Sequence, residues 1–198
     1  MAEITAAKVR ELRERTGIGM MDCKKALQET GGDMDKAVDH LRKQGMAAVE
    51  KRSGREAKDG LISSYIHPGS RLGVLLEVNC ETDFVARTDD FQEFSRDLAM
   101  HIAAEQPLAV SREEIDRAVI EREKEIYLEQ ARNEGKPDQI AERIVTGRLD
   151  KFFQDVCLME QAFVKDPDMS VGDLITETSA KTGENVRVAR FARFRIGG

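Results

Sequence analysis

Apolar positions recur at three- and four-residue spacing along most of the chain and give way to strand-like runs at 61–66, 72–78 and 186–196. Spacing of the first kind buries one stripe of a helix; runs of the second kind suit a pleated, half-buried surface. The first 45 residues hold three short helical patterns, each followed by glycine. Thr5 caps a helix carrying Val9 and Leu12 that stops at Gly17. A second runs from about Met20 to Thr30, with Cys23 and Leu27 one turn apart and Gly31-Gly32 after it. Asp33 caps a third, with Met34, Val38 and Leu41 on one face and Gly45 as its stop. A bundle this small is marginal alone and suits a docking module. Residues 46–59 carry Lys51, Arg52, Arg55 and Lys58 with almost no apolar stripe, and read as a basic linker or solvated helix.

The main domain spans 60–198. Two strand patterns flank His67-Pro68-Gly69-Ser70, a turn-forming cluster, so they form a β-hairpin. Asp90 and Glu93 form a capping-box pattern opening a helix with Phe91, Phe94, Leu98 and Ile102 on its core face. Ser111 and Glu114 repeat that signature before a charged helix that stops near Gly135, and Pro137 suits the first turn of the next. Asp166-Pro167-Asp168 breaks the chain; Ser170 and Asp173 then start a short helix that Gly183 ends. The closing run, rich in arginine, reads as a third strand whose alternation slips around Arg190. The fold class is α+β: a three-helix bundle, then a core with a small antiparallel sheet of about three strands packed by helices.

A net charge of −6 over 198 residues hides an asymmetry. Residues 1–58 hold 13 Lys/Arg against 10 Asp/Glu, leaving 18 against 27 in the rest. A nucleic-acid binder concentrates basic charge on one surface, and this chain does not. With no Trp and 5% aromatics it has no stacking platform for single strands. Arg187, Arg190, Arg193 and Arg195 with the basic linker are the main support for a rival nucleic-acid reading. Alternating arginines on an edge strand more often serve as a solvated face.

Cys23, Cys80 and Cys157 are far apart and form no metal-ligand spacing, which points to buried, reduced thiols. The start of the chain lacks a basic-then-apolar leader and no run approaches membrane-spanning length, so a cytoplasmic protein is expected. There is no phosphate-binding glycine loop, nucleophile elbow or zinc-protease helix. His40 reads as exposed and His101 as a hydrogen-bonded boundary residue, while His67 in the hairpin turn is placed to touch a partner. No cofactor and no catalytic set is indicated, so binding rather than enzymatic catalysis is the expected function.

The segment after the second strand is the exception to this plain chemistry. Asn79-Cys80-Glu81-Thr82-Asp83-Phe84-Val85 places a large aromatic beside a carboxylate where the chain changes direction. Phe84 is either an outward wedge with a negative tip or a core residue tucked under the next helix. The residues alone leave both open.

Thr82-Asp83-Phe84-Val85-Ala86-Arg87, together with Leu12-Arg13-Glu14-Arg15-Thr16-Gly17 and Gly19-Met20-Met21-Asp22-Cys23-Lys24-Lys25-Ala26-Leu27, resembles the bacterial elongation factor Ts family. Gly147-Arg148-Leu149, Phe163-Val164-Lys165-Asp166-Pro167 and Phe191-Ala192-Arg193-Phe194 extend the likeness across the chain. Longer members of that family carry two core subdomains and a protruding coiled coil; this chain has room for one core subdomain. The resemblance implies guanine-nucleotide exchange on elongation factor Tu, GDP-bound and nucleotide-free, and a ubiquitin-associated-like fold for residues 1–45. It implies that Thr82, Asp83, Phe84 and Val85 enter the partner's G domain and dislodge Mg²⁺. It also implies partner contacts at Arg13, Met20, Met21, Lys24, His67, Val164 and Gly183. At least one of Met20 and Met21 is expected in the bundle core. The short form suggests a homodimer, with the unpaired edge of the final strand as its candidate interface.

Overall fold

The structure, a computed structural model, describes residues 4–197. The first three residues of the expected amino-terminal module lie outside that range. The chain folds as α+β and divides into two compact units.

The first unit gathers Met1–Leu61, Asn79–Phe91 and Ile175–Arg187. Its three leading helices are α1 (Ala6–Thr16), α2 (Met20–Glu29) and α3 (Met34–Arg52). The Thr5 hydroxyl accepts the Lys8 N–H at 3.3 Å, and Gly17 closes α1 in the left-handed region at φ 66°, as the sequence leads one to expect. Val9, Leu12, Cys23, Ala26, Leu27, Ala37 and Leu41 form the shared core. The third helix differs from expectation, since it runs through Gly45 to Arg52 instead of stopping there. A β-carbon on Gly45 would lie 3.2 Å from the Ala180 side chain, so this glycine permits close approach to α8 (Val171–Thr182) and does not end a helix.

The second unit gathers Ile62–Val78, Gln92–Leu174 and Val188–Gly198. It holds most of a three-stranded sheet made of β1 (Asp59–Ile66), β2 (Leu72–Cys80) and β5 (Arg187–Arg195), in the order β1-β2-β5. The hairpin closes where His67 N–H donates to Leu72 O at 2.9 Å, with Gly69 and Ser70 at positive φ. Val74, Leu76 and Val78 point inward from β2, while Leu75 points out. In β5 the buried positions change phase between Val188 and Phe191, which is the slip seen in its sequence.

Helix α5 (Asp89–Glu105) buries Phe94, Leu98 and Ile102. Its first turn is capped by Thr88, whose hydroxyl accepts the Phe91 N–H, and not from Asp90. The Ser111 signature gives only a 3-10 turn at Arg112–Glu114; Asp116 caps the helix proper, α6 (Arg117–Asn133). Helix α7 (Asp138–Val156) follows a short turn and packs along α6 as a long helical hairpin. The Asp166-Pro167-Asp168 stretch, expected to be irregular, is strand β4 (Asp166–Ser170), paired antiparallel with β3 (Ala162–Phe163). Its proline follows the turn-side pair Phe163–Asp166, within the irregular stretch of the two-stranded ladder, where a missing N–H is tolerated. Ser170 and Asp173 make the reciprocal capping box that opens α8, with bonds of 3.1 and 3.0 Å.

Candidate functional site

Strand β2 ends with Asn79 and Cys80 buried, and the chain then turns out to solvent. The Cys80 thiol donates to Thr82 O at 3.1 Å. Thr82, extended at φ −133°, caps a single helical turn, α4 (Asp83–Ala86), its hydroxyl accepting the Val85 N–H at 3.5 Å. Thr88 closes the far side by donating its hydroxyl to Val85 O at 2.8 Å. Ala86 faces inward, whereas Phe84 is 82% exposed. Of its two readings, the tucked one is therefore excluded. Asp83 is also exposed, and its carboxylate pairs with Arg87.

The base of this turn is held by residues a hundred positions later. Glu184 Oε2 accepts the N–H groups of Glu81 and Thr82 at 3.0 and 3.1 Å, and Oε1 accepts the Thr82 hydroxyl at 2.6 Å. In return Asn185 N–H donates to Glu81 Oε1 at 2.7 Å. The Asn185 side-chain amide donates to Arg55 O at 2.7 Å and Ser53 O at 3.4 Å. Burial raises the Cys80 thiol pKa, and the nearby Glu184 charge pushes it the same way. Cys23, Cys80 and Cys157 are all buried and unpaired; burial lifts Cys157 to about 11.

The same unit carries Arg13, Met20, Met21 and Lys24 on its leading helices, all exposed. Met20, Met21 and Lys24 fall within one arc of α2, bordering the stripe of buried Cys23, Ala26 and Leu27. Neither methionine enters the core, contrary to expectation: Met20 is 38% and Met21 67% exposed. Val9, Leu12, Cys23, Ala26, Leu27, Ala37 and Leu41 fill that core, and the methionine packed against it is Met34. Gly183 ends α8 at φ 73°, and nothing lies within 4 Å of where its β-carbon would be.

His67 and Val164 belong to the second unit. His67 is exposed and its Nδ1 lies 3.0 Å from the Tyr65 hydroxyl. Val164 sits in the β3–β4 turn, 39% exposed, and donates its N–H to His101 Nδ1 at 3.2 Å. That bond leaves the proton of the neutral ring on Nε2, which donates to Gln161 Oε1 at 3.0 Å. His101 is thus fully buried and not a boundary residue, and burial holds its pKa below the ordinary 6.5.

Three of the four arginines of the last strand have intramolecular acceptors. Arg187 donates to Ala57 O, Arg190 to Glu77, and Arg193 to Ala103 O. Among the described residues no cluster of His, Cys, Asp or Glu is arranged to hold a metal ion, and no helix is long and apolar enough to cross a membrane. Sequence reading missed Glu184 and Asn185. The only local signal is that they follow the glycine ending α8, and nothing in that names a partner a hundred residues earlier.

Comparison with known proteins bears on the whole chain. The Elongation factor TS family profile matches residues 24–198. A protein of Geotalea daltonii named Elongation factor Ts is 59% identical over 194 residues, covering 98% of this chain and 90% of that one. A protein of the same name from Alkaliphilus oremlandii is 58% identical over 195 residues, with the same coverage. One from Desulfitobacterium hafniense is 55% identical over 197 residues, covering 100% of this chain and 91% of its own.

Proposed function

The chain belongs to the elongation factor Ts family, and we propose that it is a guanine-nucleotide exchange factor for elongation factor Tu during translation elongation in the cytoplasm. In this reading Thr82, Asp83, Phe84 and Val85 enter the partner's G domain and dislodge its Mg²⁺. The observation that carries it is the exposure of Phe84: an aromatic 82% open to water, set beside a carboxylate on a capped turn. Large exposed apolar side chains held on a rigid element suit insertion into a partner's pocket.

The energetics are consistent. A nanomolar nucleotide complex is worth about 12 kcal/mol. Burying Phe84 in a partner contributes about 1.5–3 kcal/mol. Asp83 near a phosphate site adds repulsion of about 4 kcal/mol at 4 Å and moderate dielectric. Neither cancels the nucleotide's hold alone; loss of the Mg²⁺ contacts supplies the rest. The factor acts by binding the nucleotide-free partner better, and the coupling is reciprocal, so bound nucleotide weakens the factor equally.

Arg13, Met20, Met21 and Lys24 then dock the leading helices on the partner. Adaptable thioether side chains supply the apolar contact and Lys24 steers approach. His67, Val164 and Gly183 are further contacts. The active species is a homodimer: Ile62, Ile66, Leu75 and Phe194 are exposed on the β1, β2 and β5 strands, and β5 has an unpaired edge. A self-complementary apolar face of this kind suits a two-fold partner.

Stopped-flow release of fluorescent GDP from purified elongation factor Tu tests the reading. Catalytic amounts of the chain should accelerate release by orders of magnitude; no acceleration removes it.

A further inference from the structure

Phe84 stands on a helix of four residues, too short to fix its direction by its own hydrogen bonds. From the bonds at the base of that turn we infer that Glu184 is a positioning residue for the Phe84 wedge, acting through Thr82. The inference rests on the exchange reading above and deepens it.

One carboxylate satisfies three donors here: Glu81 N–H, Thr82 N–H and the Thr82 hydroxyl, at 3.0, 3.1 and 2.6 Å. The third, from hydroxyl to carboxylate, has the short length of a strong charge-assisted bond. The third also fixes the hydroxyl rotor. A Thr82 proton committed to Glu184 leaves a lone pair to accept the Val85 N–H, which is the cap that starts α4. Glu184 therefore decides both where the turn begins and which way its first bond points.

The clamp is reciprocal. Glu81 Oε1 accepts Asn185 N–H at 2.7 Å, so each segment lends a carboxylate to the other's backbone. Asn185 is in turn fastened to the carbonyls of Ser53 and Arg55. Gly183, at φ 73°, supplies the left-handed residue that swings the chain out of α8 and into the clamp. Its place in the chain is thus explained by geometry, apart from any contact it makes with a partner.

Glu184→Ala, Glu184→Gln, Thr82→Val and the Glu184→Ala/Thr82→Val pair test the inference by two readouts. In the full chain alone, amide hydrogen exchange at Glu81, Thr82 and Val85 should speed up about tenfold or more in Glu184→Ala while other amides keep their protection. With elongation factor Tu, the maximal GDP release rate should fall about tenfold and the half-saturating concentration stay within about twofold. Glu184→Gln should recover part of the rate, because its carbonyl still accepts the two backbone N–H groups. The double variant should lose less than the two single losses combined, since both singles remove the same hydroxyl bond, while Glu184→Ala also frees the two backbone N–H groups. Unchanged amide protection in Glu184→Ala, or additive losses in the pair, overturns the inference. Should Glu184→Ala melt below the assay temperature, Glu184→Gln and Thr82→Val carry the same comparison. If the unaltered chain releases no GDP, the exchange reading fails, and the amide data still decide the clamp.

Discussion

Asp83 and Arg87 face each other across the single turn of α4, with 2.8 Å between carboxylate and guanidinium. The charge proposed to confront the partner's magnesium site is therefore paired on the free protein's surface. Both side chains are more than half exposed, so the pair is worth under about 1 kcal/mol. Arg87→Ala should leave thermal stability nearly unchanged and raise the maximal GDP release rate by about two- to fivefold at low salt, an advantage that shrinks as salt screens Asp83. Asp83→Asn should slow release. Stopped-flow traces at two ionic strengths read both effects, and a slower Arg87→Ala would mean that Arg87 itself contacts the partner.

Phe84→Ala removes a side chain that is 82% exposed, so the melting temperature should not fall. Release of GDP from elongation factor Tu should slow by about ten- to a hundredfold, the equivalent of 1.5–3 kcal/mol of lost burial. An unchanged rate at saturating factor would remove the wedge.

His101 gives the fold an acid sensitivity. Its folded pKa lies below 6.5 because it is buried, so the unfolded chain takes up the proton first. The stability this neutral ring contributes is complete above pH 6.5 and declines as pH falls from there toward the folded pKa. Denaturant titrations at pH 7.5 and 5.5 should show a shallower pH slope in His101→Gln than in the unaltered chain. The first loss should be at the β3–β4 turn, where Val164 N–H relies on the unprotonated Nδ1.

Two helical glycines should respond oppositely. Gly45→Leu forces a side chain against Ala180, 3.2 Å from the new β-carbon, and should destabilise by about 1–3 kcal/mol. Gly147 in α7 has nothing within 4 Å, so Gly147→Ala should stabilise by about 0.5–1 kcal/mol through helix propensity. Chemical denaturation of the pair separates close packing from intrinsic preference.

Phe194 is 67% exposed on β5, so Phe194→Glu should fold normally. Light scattering should show a dimer mass for the unaltered chain at working concentration and a monomer mass for the variant. A monomer mass for both would remove the homodimer.

Much of this architecture was legible because each helix announces itself locally. Thr5, Asp33 and the Ser170–Asp173 box all cap where their sequence says they should. Failures came where tertiary contact overrode a local rule. Gly45 looks like a stop and is a spacer for Ala180; Ser111 looks like a cap, but Glu114 reaches back to Val110 N–H and the helix begins later, at Asp116. The site divides the same way. Phe84 could be found because a strand, a polar turn and an aromatic are adjacent in sequence. Its exposure, and the hold of Glu184 on Thr82, depend on contacts between distant segments that no local pattern encodes.

The span of that hold bears on synthesis. Thr82 and Glu184 are 102 residues apart. At about 5–20 residues per second, a ribosome leaves the wedge without its brace for about 5–20 s after the wedge residues are made. A nascent or stalled chain ending before Glu184 carries Phe84 but lacks the group that aims it. Competence is conferred only once Glu184 has been made, so a product truncated before it would not compete with a chain that carries it.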